Sequence, residues 1–234
     1  PKVYGKLNIA VNNDGSDGVD SGEVDLVSNA SRLGFKGKVD MKNGLTGIYQ
    51  IEYEVDITND DTKDKAFNQR NSFVGLKGSF GTFKIGTHDT PLKLAQLKAD
   101  LFNDLKGDIK NTHDGENRIG SFLGYDSPVF GGGVSISLSL GKGLTDTAAN
   151  LAAGSDLDGE FGNNVAVALK YDINVIKFVL ATEQNSIKGF DHNRLGVMIP
   201  AGPVTIGLIH TTTESSYGNA CLLYTSDAAD DDVR

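Results

Sequence analysis

Residues 45–57 read LTGIYQIEYEVDI, and their pattern decides the fold class. Leu45, Tyr49, Ile51, Tyr53, Val55 and Ile57 fall on one side of an extended chain, and Gln50, Glu52, Glu54 and Asp56 fall on the other. Side chains of a strand point alternately to its two faces, so this period of two predicts a β-strand with one apolar and one charged face.

The same period spreads outward from it. VSISLSL (134–140) sets Val134, Ile136, Leu138 and Leu140 against three serines. KVYGKLNIAVN (2–12) sets Val3, Leu7, Ile9 and Val11 against Tyr4, Lys6, Asn8 and Ala10. Leu33, Phe35 and Val39 oppose Arg32, Lys36 and Lys38, and Ile119, Leu123 and Tyr125 oppose Arg118. NSFVGLKG (71–78) and GTFKIG (81–86) read as a hairpin around GSFG, and 165–173, 176–183, 193–199 and 203–212 complete about 11 strands. Their connections alternate between long polar loops and tight turns such as MKNG (41–44), DIN and PAGP. That alternation is the arrangement of an outer-membrane barrel, whose lumen would suit Lys36, Lys38, Glu52 and Glu54. From periodicity alone, a soluble β-sandwich with a wet charged face remains the alternative.

One stretch breaks the rhythm. Residues 86–118, GTHDTPLKLAQLKADLFNDLKGDIKNTHDGENR, carry Leu94, Leu97, Leu101 and Leu105 at helical steps, with Pro91 suited to a first turn. Asp100, Asp104 and Asp108 recur four residues apart on another face. The expectation is a partly helical acidic loop folded into a pore as its constriction; the bland alternative is the solvated face of a surface helix.

Composition limits the function. The net charge of −9 over 234 residues argues against a nucleic-acid partner, which needs a basic face. The longest apolar run falls short of a membrane-crossing helix, which leaves strands as the only means of spanning. The single Cys221 rules out an intrachain disulfide, and the spacing of Cys and His suits no metal. Neither a GxSxG elbow nor a GK[ST] phosphate loop occurs, so the reading is of a protein without cofactor or catalysis. The opening PKVYGK enters a strand directly and is expected to be a mature N-terminus.

VYGKLNIAV, SRLGFKGKVDMKNGLTGIYQIEYEVD, NSFVGLKGSFGTFKIG and YDSPVFGG, ordered across residues 2–140, resemble the general porins of Gram-negative outer membranes. The likeness loosens towards residue 213. It implies an antiparallel transmembrane β-barrel of about 16 strands, usually trimeric, with the third long loop folded inward. It further implies passive diffusion of ions and small hydrophilic solutes through outer-membrane lipid. Carried over by position, Lys6 matches the Lys of YGK and Arg32 the Arg of RLGFKG. Arg118 matches an Arg seven residues before a Tyr, here Tyr125. With Lys36 these are expected to form the basic wall of the constriction. Thr87 stands where many relatives carry Arg, with His88 or Lys84 as partial substitutes. The family's PEFGG-type loop motif is absent, so Asp100, Asp104 and Asp108 are assigned as the loop acids by position and spacing. Arg32 and Lys36 have a competing expectation: pairing with Glu52 and Glu54 on the neighbouring strand.

Beyond about Thr213 the alternation stops. SSYGNACLLYTSDAADDDVR resembles translated adapter sequence, so 1–213 is expected to be the barrel, as a fragment of a larger one, and 214–234 a disordered or artefactual tail. The functional alternative at this point is a secreted, soluble β-sandwich or adhesin-like binding module.

Overall fold

The computed structural model describes residues 1–13, 24–58, 67–143, 160–173, 175–186 and 190–215. Period-two alternation becomes geometry at the pairing of Arg32–Asp40 (β4) with Thr46–Val55 (β5). Ile51 stands opposite Phe35, while Glu52 stands opposite Gly34 and Glu54 opposite Arg32. Apolar residues therefore share one face and charged residues the other.

The remaining strands extend this pair. They are β1 (Lys2–Lys6), β2 (Ile9–Asn13), β3 (Val24–Ser28), β6 (Phe67–Gln69), β7 (Ser72–Gly78), β8 (Gly81–Asp89), β9 (Arg118–Asp126), β10 (Val134–Lys142), β11 (Phe161–Asp172), β12 (Lys177–Gln184), β13 (Phe190–Ala201) and β14 (Val204–Ser215). One antiparallel sheet runs in the order β1, β4, β5, β7, β8, β9, β10, β11, β12, β13, β14, with β6 beside β5. The pair β2–β3 continues the β1–β4 hairpin past a break. Ser31 stitches that break: its hydroxyl accepts from the Asn8 N–H at 3.0 Å and donates to the Asn8 carbonyl at 3.3 Å.

Connections of seven residues or fewer at 41–45, 79–80, 127–133, 173–176 and 202–203 alternate with connections at 14–23, 56–66, 90–117, 143–160 and 185–189, of which all but the last have ten residues or more. The meander therefore has a short-turn end and a long-loop end, as up-and-down barrels do.

Burial is inverted relative to a soluble domain. Phe35 is 44% and Val74 62% exposed on the outer face, whereas Glu52 is 8%, Glu183 0% and Arg194 2% exposed on the inner face. An outward apolar surface of this extent needs lipid or a partner to cover it. The soluble β-sandwich fails on this point, since it would bury its apolar face against a second sheet.

The long connection 90–117, third in chain order, crosses the inner face. Its helix is shorter than the leucine spacing predicts: α1 covers only Pro91–Leu94, and a single 3-10 turn follows at Ile109–Asn111. Leu97 has φ 58° and Asp104 φ 68°, conformations that end a right-handed helix. Asp100 and Asp108 take backbone N–H groups on their carboxylates, the local competition that disfavours Asp inside helices. Leu101 is 83% exposed, so the leucines form no common face. Cys221 and the rest of 216–234 lie outside the described residues, as do the acidic stretches 14–23 and 59–66.

Candidate functional site

The loop is rooted where β8 ends and β9 begins. Thr90 caps α1 by accepting from the Lys93 N–H at 3.3 Å, and its hydroxyl donates to Glu183 of β12 at 2.7 Å. Asn117, at the other root, donates to the same carboxylate at 3.3 Å, and Asn164 of β11 donates at 2.9 Å. From there Leu92 and Ala95 pack on Ala168, Val179 and Ala181 of the inner wall. Small wall residues permit this approach. A Cβ on Gly196 would collide with the Ala95 carbonyl oxygen.

Further along, Arg194 of β13 gathers the loop. Its guanidinium donates to Glu116 at 2.5 Å, to the Asp114 carbonyl at 2.7 Å, to the Leu92 carbonyl at 3.4 Å and to the Thr211 hydroxyl of β14 at 3.0 Å. Gly115, at φ 83°, lets the returning backbone pass Leu92, where a Cβ would strike the leucine side chain. Burial pushes the Glu116 carboxyl above its ordinary value, against the pull of Arg194 and Lys93. Burial, and then Arg194, push the neighbouring His113 imidazole below its ordinary value.

The tip of the loop reaches the far wall. Asp104 pairs with Arg32 of β4, and the Lys6 ammonium of β1 lies 3.4 Å from the same carboxylate oxygen. Of the acids expected to face the basic wall, Asp104 alone does so. Asp100 accepts from the N–H groups of Phe102 and Ile109 at 3.0 and 3.4 Å. Asp108 accepts from those of Asp104 and Lys110 at 2.8 and 2.9 Å. These two carboxylates shape the loop that presents Asp104.

The basic residues also divide. Lys6 and Arg32 meet Asp104, whereas the Lys36 ammonium sits 4.7 Å from the centre of the Tyr4 ring. Arg118 bonds Asp89 at 3.0 Å and Asn71 at 2.9 Å, beside Lys93, which lies 3.6 Å from Asp89. Glu52 and Glu54 are taken by Arg70, at 2.9 and 2.6 Å, and not by Arg32 or Lys36. Thr87 points away from the lumen. His88 packs inward between Phe73 and Phe122, while the Thr87 hydroxyl accepts from Gln69, which pairs with the outward Tyr53.

Sequence reading passed over Arg70, Asp89, Glu116, Glu183 and Arg194. For Arg194 a signal existed: it shares its strand face with Gly196 and Met198, opposite Leu195, Val197 and Ile199. A charged residue on the inward parity of an apolar strand marks a lumen group.

A family model described as Gram-negative porin matches residues 1–231. The major outer membrane protein P.IB of Neisseria meningitidis serogroup B is 31% identical over 181 residues, covering 75% of this chain and 50% of that protein. A serogroup A counterpart is 28% identical over 207 residues, covering 84% and 59%. Salmonella typhi OmpF, solved in complex with daunomycin, superimposes with a TM-score of 0.68 over 91% of this chain and 65% of that one, at 17% identity. A triple mutant of the Rhodopseudomonas blastica porin gives 0.55 over 89% and 71%, at 14% identity. The structural likenesses carry the fold alone, and the chain spans about half the length of the curated relatives it matches.

Proposed function

The chain belongs to the Gram-negative porin family, and on that premise we infer that it forms wall and constriction of a water-filled outer-membrane channel. The family consists of channels and not enzymes. Transport is passive diffusion of ions and small hydrophilic solutes, and the protein works as a homotrimer in outer-membrane lipid. Residues 1–213 supply the barrel segment, with 90–117 as the loop inside it.

The observation that carries this reading is the span of the loop. It is tied to Arg194 on one wall and presents Asp104 to Arg32 and Lys6 on the other. Opposed charges across a narrow aqueous gap with low-dielectric walls produce a transverse field that orients polar solutes and penalises apolar ones. In this assignment Lys6 and Arg32 are the basic side of the constriction and Asp104 the acidic side. Lys36 and Arg118 add positive charge to the approach, and Asp100 and Asp108 hold the loop in shape.

The test is reconstitution of a full-length porin that contains this sequence in planar bilayers under a salt gradient. Stepwise conductance with a charge-dependent reversal potential is expected. A folded, heat-modifiable preparation that carries no current would sink the reading.

A further inference from the structure

Arg194 is an expensive residue to bury. An aliphatic side chain at this point of β13 would pack against Leu92 and Ala95 without desolvating a guanidinium, and buried ion pairs are often no more stabilising than such packing. What an arginine adds is fixed geometry, because its planar donors bind several acceptors at once. Here those acceptors lie on both limbs of the loop: Leu92 on the outgoing limb, Asp114 and Glu116 on the returning one, with Thr211 of β14 as the wall-side brace. Glu183 holds only the roots, Thr90 and Asn117. Lys93 also reaches the Glu116 carbonyl, at 3.3 Å, but from within the loop. Thr213 of β14 adds one hydroxyl bond to the Asp114 carboxylate at 3.3 Å, but among the described residues Arg194 is the wall side chain that grips both limbs of the loop beyond its roots.

We propose that Arg194 is the positioning residue of the constriction: by clamping both limbs it sets how far the loop reaches and so holds Asp104 against Arg32. This rests on the channel reading for its consequence and on loop geometry alone for its existence. The residues between Ala95 and Asp108 rely on the clamp at one end and on the Asp104 pair at the other. Releasing the clamp lets the tip wander and changes the charge that permeating ions meet.

Two measurements on the full chain test it. In limited trypsinolysis of the detergent-folded protein, Arg194→Gln is expected to speed cleavage at the exposed Lys106 and Lys110 by about tenfold, the factor given by 1.4 kcal/mol of lost docking. Arg194→Lys should fall between. In bilayers, Arg194→Gln should raise open-channel noise and shift the reversal potential. It should add no further shift in an Asp104→Asn background, because its effect runs through Asp104. Unchanged cleavage together with an unchanged reversal potential overturns the proposal. Should Arg194→Gln fail to fold, Glu116→Ala removes the side-chain acceptor of the clamp from the loop side, and wild-type cleavage in that variant overturns it equally. Faster loop cleavage in a chain that conducts nothing supports the clamp and counts against the channel reading.

Discussion

The Arg32 guanidinium donates to the Asp104 carboxylate although 72 positions separate them in sequence. Both side chains are mostly enclosed, while Lys6, on the same carboxylate, is 47% exposed. Asp104 therefore neutralises part of a basic wall that would otherwise face the lumen.

Asp104→Asn should shift the reversal potential towards anions, and Arg32→Gln should shift it towards cations. The two shifts should shrink from 0.1 M to 1 M salt, as the screening length falls from about 10 Å to about 3 Å. A reversal potential indifferent to both substitutions would remove this pair from the constriction.

The outward face predicts behaviour opposite to that of a soluble protein. Val74 is well exposed, so Val74→Arg would be close to neutral on a water-facing surface. On a lipid-facing strand it should cost about 2–4 kcal/mol near the bilayer midplane. Equilibrium unfolding from lipid vesicles, compared with wild type, reads the difference directly.

Gly196→Ala should disturb the loop where Gly47→Ala does not. A Cβ at 196 meets the Ala95 carbonyl, whereas at 47 the nearest atoms lie at an ordinary 3.7 Å. A penalty of about 1–3 kcal/mol is expected at 196, seen as a lower thermal midpoint and faster proteolysis of the loop. Equal midpoints for the two variants would contradict the close docking.

Acid should loosen the returning limb through His113. Burial and then Arg194 hold its imidazole below the ordinary value; Asp114 pulls up and His210 adds to the depression. A depressed base favours the docked state while neutral, so docking is fully present above about pH 6.5 and weakens as pH falls below it. Glu116 has the opposite sign: its raised carboxyl makes protonation favour docking, starting just above the ordinary carboxylate range. Channel noise should therefore rise as pH falls below about 6.5, and His113→Gln should flatten that rise. A slope that survives His113→Gln would assign the titration to another group.

Much of the wall was legible at the level of single strands. Glu52 and Ile51 differ by one position, and the strand period alone puts them on opposite faces. Which of those faces meets water was not legible, because a sandwich and a barrel share the pattern. The loop was legible as an interruption but not as a shape. Leucines at three- and four-residue steps predicted a helix, and local carboxylate-to-backbone bonds at Asp100 and Asp108 prevailed after one turn.

The amino-acid sequence by itself determined most of the strands, the alternation of their side chains and the place of the long acidic connection, because these depend on neighbours in the chain; the short β3 and β6 and the break between β1 and β2 emerged only in the structure. Only the tertiary structure decided which charges meet. Arg32 finds Asp104, Arg70 takes Glu52 and Glu54, and Arg194 closes on Glu116. The Asp104 and Glu116 pairings depend on how the sheet brings distant strands around one loop, and the Arg70 pairing on the register of β6 beside β5; electrostatic partnership follows distance in space.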